Sequence, residues 1–457
     1  MGEVPRRGWG PIEALPPHTP GVFVIPKEAS YILVKTILYA GIERRYTSKI
    51  GENLMQANWR IGSLFGIPFF LDPSWFFILA FVTLINAQNF APRLGPVVAG
   101  STGFIMALLL FASVVLHELG HSLAARSQGI KVNSITLFVF GGVASIDRES
   151  KTPGGAFQVA IAGPAVSLSL FLLFYLLSKA LPFSGVGQLI TSDLANINLV
   201  LTLFNLIPGL PLDGGQVLKA GVWKLTGNRF QGVRWAAKTG KILGGLAIAF
   251  GLTLALWNLQ TGEFLGAMWI ALIGGFVFRN ANTYDRLTTL QEALLQLVAA
   301  EAMTREFRVV NASQTLRSFA DEYILADTHA PMPYYAAEAG RYRGLVAIED
   351  LHFVERSRWE TQTLESIVHP LSEIATVEER TSLLEVINTL EARQINRLTV
   401  LSLAGTVAGV IDRGDIVRAV AQKLNLPIPD GEIKRTKAEG TYPQGLQLQA
   451  IARATTE

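Results

Sequence analysis

The sequence predicts an α-helical polytopic membrane domain of about six spans, with a small β segment, followed by a soluble α/β region. Half of the 457 residues are hydrophobic and only 16% are charged, whereas a soluble protein has about a quarter charged residues. Long apolar runs occur between residues 72 and 278. Charged segments alternate with short apolar ones over residues 285–424. We therefore expect an integral membrane protein with a soluble region attached.

Charge and cysteine content exclude several classes of protein. The formal net charge is +3, but the basic residues lie mainly between hydrophobic segments, where they set topology, so we expect no nucleic-acid partner. The chain has no cysteine, which excludes disulfides, thiolate metal sites and a cysteine nucleophile.

Residues 1–58 are rich in proline, glycine and basic residues. Their apolar stretch, Tyr31 to Ala40, is interrupted by Lys35 and is too short to cross a membrane. We predict a disordered cytoplasmic N-terminal tail. An alternative is that Met55 is the true start, because patterned sequence begins at Trp59.

Six apolar segments are predicted to span the membrane. A polar loop with a short strand, Asn133 to Ile146, separates the second segment from the third. Ala162-Gly163-Pro164 in the third permits close helix approach and a kink. The six segments are approximately Asp72–Phe90, Val97–Ala125, Gly155–Leu177, Leu189–Ile207, Ile242–Leu259 and Phe264–Phe278.

Lysine and arginine residues predict the orientation. They concentrate in the second-to-third and fourth-to-fifth connections, while the opposite loops hold little beyond Arg93 and Lys179. By the positive-inside rule, both termini and both basic loops are cytoplasmic, as an even number of spans requires. The basic residues are Arg126, Lys131, Arg148 and Lys151, then Lys219, Lys224, Arg229, Arg234, Lys238 and Lys241.

The second predicted span carries His117, Glu118 and His121 in the pattern H-E-x-x-H. Ionisable groups are costly in hydrocarbon, so their presence in an apolar helix indicates a functional site. The two histidines, four residues apart, lie on one helix face and can hold one metal ion. Glu118 projects about 100° away and is better placed to act on a metal-bound water than as a ligand. The alternative is a pair of buried, hydrogen-bonded histidines.

Two histidines and a water leave a catalytic zinc site one protein ligand short. Asp213 is the best candidate because it follows the end of the fourth span, at the depth of the histidines. Pro208 and Pro211 break the helix before it, and Gly214-Gly215 permit close backbone approach. The alternative is a plain Asp-Gly-Gly turn with a solvated carboxylate.

Asn198 and Asn205 are seven residues apart and therefore share one face of the fourth span. An amide donor beside a zinc site can stabilise a tetrahedral oxyanion, and Asn205 lies nearer Asp213 in the chain. Interhelical hydrogen bonding is the alternative, and it suits Asn198 better than Asn205.

The soluble region contains two related units of about 60 residues, which indicates a structural duplication. The first includes Phe307 to Val310 and ends with Tyr342 to Leu351, and the second includes Ala375 to Val377 and ends with Val407 to Ile416. Residues 427–457 are predicted to form a disordered tail.

His117-Glu118-Leu119-Gly120-His121 and Asn205-x-x-Pro208-x-x-Pro211-Leu212-Asp213-Gly214-Gly215 resemble the site-2 protease family of intramembrane zinc metalloproteases. The resemblance implies one Zn²⁺ per chain on His117, His121 and Asp213, with Glu118 as general base and Asn205 near the scissile carbonyl. It also implies that Phe140-Gly141-Gly142 lies in a membrane-associated β segment that pairs with an unwound substrate. Gln216 departs from the family, in which many members have His or Arg, but it touches no proposed ligand.

The soluble pair resembles CBS domains, with boundaries at residues 285–358 and 359–426 after a protease domain at 59–284. The resemblance implies a regulatory input and an adenine nucleotide bound through Asp350 and Asp415. Ala347 and Asp412 stand where a Thr or Ser commonly occurs, and an extra carboxylate beside a polyphosphate is unfavourable. A purely structural or dimerising role, giving a homo-oligomer, is the alternative.

The resemblance implies a membrane endopeptidase that cuts transmembrane segments of other proteins near the cytoplasmic face. Its partners would be the transmembrane protein substrate and the lipid bilayer. The alternative is a non-enzymatic CBS-gated channel or transporter, which predicts polar residues along several spans. Here the polar groups cluster at one depth on two segments, which favours a single site. Composition excludes a soluble zinc protease.

Overall fold

The structure is a computed structural model that describes residues 59–139, 141–180, 185–258, 264–325, 332–443, 446 and 448–456. The predicted N-terminal tail at residues 1–58, including Met55, and the predicted substrate-pairing residue Phe140 lie outside the described residues.

Five of the described helices are long and apolar enough to cross a membrane. They overlap the first five predicted spans, and their bounds are α1 Ser74–Leu94, α2 Pro96–Ser127, α3 Pro153–Ala180, α4 Val186–Asn205 and α6 Arg229–Trp257. Helix α6 begins well before the predicted Ile242, so the basic residues of its first turns, Arg229, Arg234, Lys238 and Lys241, lie in a helix and not in the predicted connection. The sixth predicted span is the first half of helix α7, Phe264–Gln296, which is not among these five.

The basic connection before α6 contains a further helix, α5, Asp213–Thr226. It begins at the predicted ligand Asp213 and ends at Gly227, whose φ of 69° closes the last turn in the left-handed conformation that glycine favours. The sequence predicted a basic loop here, so α5 corrects that prediction. Asp213-Gly214-Gly215, for which a plain turn was the alternative to a ligand, forms the first turn of this helix.

A four-stranded sheet packs beside α2. Its strands are β1 Trp59–Leu64, β2 Ile67–Leu71, β3 Val132–Phe138 and β4 Gly141–Ile146. They lie in the order β1-β2-β3-β4, so β4 is an edge strand. Ile67, Phe69 and Ile135 are buried against Leu119 of α2. The sheet is thereby held against the helix that carries both histidines. The sequence analysis predicted the segment of β3 and β4 but not β1 and β2.

Helix α7 continues out of the apolar part of the chain into the soluble region. Its last turns place Leu290 and Leu294 in the core of that region, where they pack with Leu390 and Val400. The predicted boundary between residues 284 and 285 therefore falls inside a helix.

The soluble region has two further sheets, one of four strands and one of three. Its elements are α8 Ala299–Ala302, β5 Arg308–Asn311, α9 Leu316–Phe319, β6 Tyr334–Glu338, β7 Arg341–Val346, β8 Val368–Pro370, β9 Thr376–Glu378, α10 Leu383–Ala392, β10 Arg397–Leu401, β11 Val407–Asp412 and α11 Arg413–Leu424. The strand orders are β5-β6-β7-β8 and β11-β10-β9. Strand β8 pairs with β7, so residues beyond the predicted boundary at 359 complete the first of these sheets.

The C-terminal segment corrects our prediction of a disordered tail at residues 427–457. It forms helices α12, Asp430–Glu439, and α13, Leu448–Thr456. Leu448 and Ile451 are fully buried in the core that α7 and α10 share. The segment has few apolar residues, so its composition suggests disorder. These few residues all face a core built elsewhere in the chain, and their burial orders the segment.

Candidate metal centre

Helix α2 presents His117 and His121 on one buried face. Their side chains are almost fully enclosed, and their Nε2 atoms lie 3.3 Å apart. This is the arrangement that four-residue spacing on a helix predicts.

Asp213 completes a cluster of three candidate ligands. Its Oδ2 atom lies 3.0 Å from His117 Nε2 and 3.2 Å from His121 Nε2. The three side chains offer ligand atoms within 4.8 Å of one another. Two imidazole nitrogens and one carboxylate oxygen match the three-ligand donor set of catalytic zinc sites. Gly163 of α3 faces the same point, because a Cβ there would overlap His121 Nε2 and lie 2.7 Å from His117 Nε2.

Helix α3 fixes the orientation of both imidazole rings. His117 Nδ1 is hydrogen-bonded to Ser167 Oγ at 2.9 Å, and the Nδ1–H of His121 donates to the carbonyl oxygen of Val159 at 2.7 Å. These hydrogen bonds leave both Nε2 atoms free to face Asp213, as the outer partners of metal-bound histidines do. Our sequence analysis missed Ser167 and Val159. The four-residue spacing of Val159, Gly163 and Ser167 was the signal that could have found them.

Glu118 lies beside the edge strand of the sheet. A Cβ at Gly142 of β4 would lie 2.5 Å from Glu118 Cγ, so the carboxylate stem occupies the space that this glycine leaves. Gly142 and Gly141 pair with Leu137 and Phe138 of β3, and the other side of β4 is the edge of the sheet. The predicted general base and the predicted substrate-pairing strand are therefore neighbours.

The two asparagines of α4 differ in their surroundings. The Asn205 side-chain amide nitrogen lies 3.4 Å from His117 Nε2, at the metal centre. Asn198 is fully buried and donates to Ser113 Oγ of α2 at 3.1 Å. Asn198 thus makes the interhelical hydrogen bond that was the alternative for both residues.

Close backbone packing holds Asp213 in place. A Cβ at Gly214 would overlap the carbonyl oxygen of Leu206, and one at Gly215 would overlap the backbone of Gly209. Since each position can accept only glycine, the chain returns tightly from the end of α4 to the start of α5.

A charged cluster joins the segment after β4 to α5. Glu149 forms ion pairs with Lys219 at 3.1 Å and with Arg229 at 2.9 Å. The surrounding protein opposes the charged form of the half-exposed Glu149 side chain, but the two cations prevail and lower the pKa of its carboxyl to about 2. At neutral pH, ion pairs of Glu149 therefore hold the segment after β4 against α5, the helix that begins with Asp213.

The two predicted nucleotide-binding carboxylates of the soluble region each have a partner. Asp350 Oδ2 lies 2.8 Å from His369 Nε2, and both side chains are partly exposed. Asp415 is buried in the first turn of α11, and Lys437 of α12 lies 2.9 Å from its Oδ1 atom. A Cβ at Gly414 would overlap Lys437 Cγ, so the lysine side chain lies directly over this turn.

Comparisons with known proteins place the chain in a family. It matches Peptidase family M50 over residues 105–195 and 190–243 and the CBS domain over residues 365–422. A relative from Synechocystis sp., named as a zinc metalloprotease, is 42% identical over 373 residues, which are 81% of this chain and 97% of the relative. The chain belongs to Peptidase family M50.

A second relative, Rip3 of Mycobacterium tuberculosis, also carries a zinc metalloprotease name. It is 34% identical over 71% of this chain and 82% of its own length. Among solved structures, the chain is similar to a site-2 protease from Methanocaldococcus jannaschii, with 29% identity, a TM-score of 0.37, and coverage of 50% of this chain and 95% of that chain.

This M50 chain is a zinc metalloprotease with a CBS domain, and its membership confirms the predicted site-2 protease resemblance, the enzyme class and zinc as the cofactor. The donor set of His117, His121 and Asp213 fits that cofactor. The predicted architecture of apolar helices followed by an α/β region is also confirmed. The alternative of a non-enzymatic channel or transporter has no support. The roles of the individual site residues remain predictions.

Proposed function

We propose that this M50 protease cleaves transmembrane segments of other membrane proteins near the cytoplasmic face, under the control of its CBS region. The observation that carries the proposal is the convergence of His117, His121 and Asp213 between long apolar helices, beside an edge strand. Because these side chains lie between apolar helices, a substrate in the bilayer can reach them more readily than one in solution. Basic residues in the two long connections support cytoplasmic access to the site.

The peptide bond of a transmembrane helix is hidden by hydrogen bonds, so the helix must unwind locally before attack. An unwound segment in hydrocarbon needs replacement partners for its backbone groups. Strand β4 can supply them from its free edge by β-strand addition. Gly141 and Gly142 let the added strand approach closely, and the adjacent Glu118 then lies next to the bound peptide bond.

His117, His121 and Asp213 would hold the zinc ion, which supplies Lewis acidity that activates water when it is bound. Glu118 accepts a proton from the attacking water and returns it to the leaving nitrogen. The side-chain amide of Asn205 donates to the carbonyl oxygen as negative charge develops there. Ser167 and Val159 hold the imidazoles in the tautomer that this arrangement needs.

Cleavage of single-span substrates in proteoliposomes tests this function. We expect cleavage inside the apolar segment when glycine or proline destabilises its cytoplasmic end, and at least about tenfold slower cleavage when leucine replaces those residues, because unwinding costs more in a stronger helix. Mass spectrometry of the products locates the cut. Preferential cleavage of soluble casein, or equal rates for both membrane substrates, would contradict the proposal.

We also propose that an adenine nucleotide binds the CBS region through Asp350 and not through Asp415. Lys437 already neutralises Asp415 and covers it, whereas Asp350 is partly exposed beside His369. Burial opposes the charge of Lys437, but Asp415 and Asp412 prevail and raise the pKa of its ammonium group, so this lysine is charged at neutral pH.

Calorimetry of the full-length protein with ATP, ADP and AMP tests this assignment. We expect Asp350→Asn to raise the nucleotide Kd about tenfold or more, because a charged hydrogen-bond partner is lost. Asp415→Asn should change the Kd less than about twofold, with thermal melting to verify that the variant is folded. The reverse order would contradict the assignment. No heat with any nucleotide would favour the structural or dimerising role of the CBS pair.

A further inference from the structure

The loop between α4 and α5 rests on α6 just before it delivers Asp213. The backbone N–H of Leu210 donates to the carbonyl oxygen of Ala236 in α6 at 3.1 Å. The Leu210 side chain is fully buried among Val233, Ala236 and Ala237 of the same helix. A backbone hydrogen bond and a buried side chain therefore anchor this loop to α6.

The turn from Leu210 to Asp213 is short and internally bonded. The N–H of Leu212 donates to Gly209 at 3.0 Å, and that of Gly215 donates to Leu212 at 2.9 Å. Only two residues separate Leu210 from Asp213, and the hydrogen bonds of Leu212 and Gly215 hold the backbone of this turn in one conformation. A shift of Leu210 therefore moves the Asp213 carboxylate.

Gly240 of α6 is the point where the loop, α6 and α7 meet. A Cβ at Gly240 would overlap the carbonyl oxygen of Leu210 and lie 3.0 Å from the Cβ atom of Ala281 in α7. Gly209 faces it at similarly short range, since a Cβ there would lie 2.8 Å from Gly240 Cα. No side chain fits between these backbones.

Helix α7 links this contact to the soluble region. Close to Gly240, Lys241 of α6 pairs with Asp285 of α7 at 2.7 Å, and about two turns earlier in α6 Arg234 pairs with Glu292. Beyond these pairs, α7 places Leu294 in the core that it shares with the CBS region. A displacement of α7 by that region would thus reach the loop of Asp213 through Gly240.

We infer that Gly240 is a positioning residue for the zinc ligand Asp213 and couples that ligand to helix α7. The inference rests on the proposed role of Asp213 as a metal ligand. Gly240 sets how closely Leu210 approaches α6, and the methyl group of Ala281 in α7 limits the space at the same point of contact.

The test is the zinc affinity of the full-length protein in detergent, measured by competition with graded chelators. We expect Gly240→Ala to weaken zinc binding about 10- to 100-fold, as loss of support around a metal ligand does. Ala281→Gly removes the methyl group of α7 that a Cβ at position 240 would meet. In the double variant this Cβ has more space next to α7, so part of the lost zinc affinity should return.

Two other glycines of α6 supply matched controls. Gly245 has no atom within 4 Å of its built Cβ, so Gly245→Ala should leave zinc affinity unchanged. Gly244 faces Phe278 and Gly274 of α7 and does not touch the loop, so Gly244→Ala should lower thermal stability and weaken zinc binding clearly less than Gly240→Ala does.

Wild-type zinc affinity in Gly240→Ala would overturn the inference, as would an equal loss in Gly244→Ala, which would indicate a general effect of packing α6 on α7. If Ala281→Gly restores no zinc affinity when it is combined with Gly240→Ala, the inferred coupling to α7 is wrong. A wild-type protein that binds zinc but cleaves no membrane substrate would instead contradict the proposed function, since the metal measurement does not depend on proteolysis.

Discussion

Glu118→Gln is expected to retain zinc and to lose cleavage. Glutamine has nearly the shape of glutamate, so it should fill the same space beside Gly142. It cannot accept the proton of the attacking water, and loss of a general base costs about 10²- to 10⁴-fold in rate. The metal is held by His117, His121 and Asp213, so the zinc content should remain that of the wild type.

The measurement pairs zinc per chain with the initial rate on a single-span substrate. Glu355→Gln is the matched control, because it makes the same chemical change on an exposed side chain of the soluble region. Full activity in Glu118→Gln would refute the assignment of this carboxylate as the base. Loss of zinc together with activity would instead indicate that Glu118 supports the metal centre.

Asp213→Ala is expected to lose zinc or to bind it much more weakly. The wild type should hold about one zinc ion per chain, because three protein ligands are the usual minimum for a catalytic zinc site. Without the carboxylate, two imidazoles remain, and the negative charge that faces both Nε2 atoms is gone. Proteolysis should disappear with the metal.

Zinc per chain is measured in detergent-purified protein that has not met chelators. Asp193→Ala makes the same substitution in α4, about three turns before Asn205, and should keep its zinc. A metal-free wild type would contradict the three-ligand site. Equal zinc content in Asp213→Ala and the wild type would show that another residue is the third ligand.

The local chemistry of the centre could be predicted from short stretches of sequence. The helical period alone puts His117 and His121 on one face, and apolar neighbours make their burial costly without a function. Asp213 was predicted from its place after α4, because topology fixes the depth of a residue that follows a span. Asn205 was preferred to Asn198 for the same reason, and the structure brings Asn205 to His117.

The partners of these residues depended on contacts between distant parts of the chain. Ser167 orients His117 only because α3 packs against α2, and Lys437 covers Asp415 only because α12 docks on α11. A spacing within one helix can place residues such as Ser167 on one face, but it does not show which distant segment will meet that face. The helical C-terminal segment was missed for this reason, since its few apolar residues become ordered through a core formed by other elements.

Sequence thus specified the features that depend on local geometry and on transfer to the bilayer, namely the apolar helices and the side chains of the metal centre. Tertiary structure decided the features that depend on which backbones can touch. The contact of Gly240 with Leu210 is one example, because a glycine in an apolar helix does not show which chain segment will occupy the space it leaves. Local propensity and hydropathy act within a few residues, whereas close packing depends on the arrangement of the whole chain.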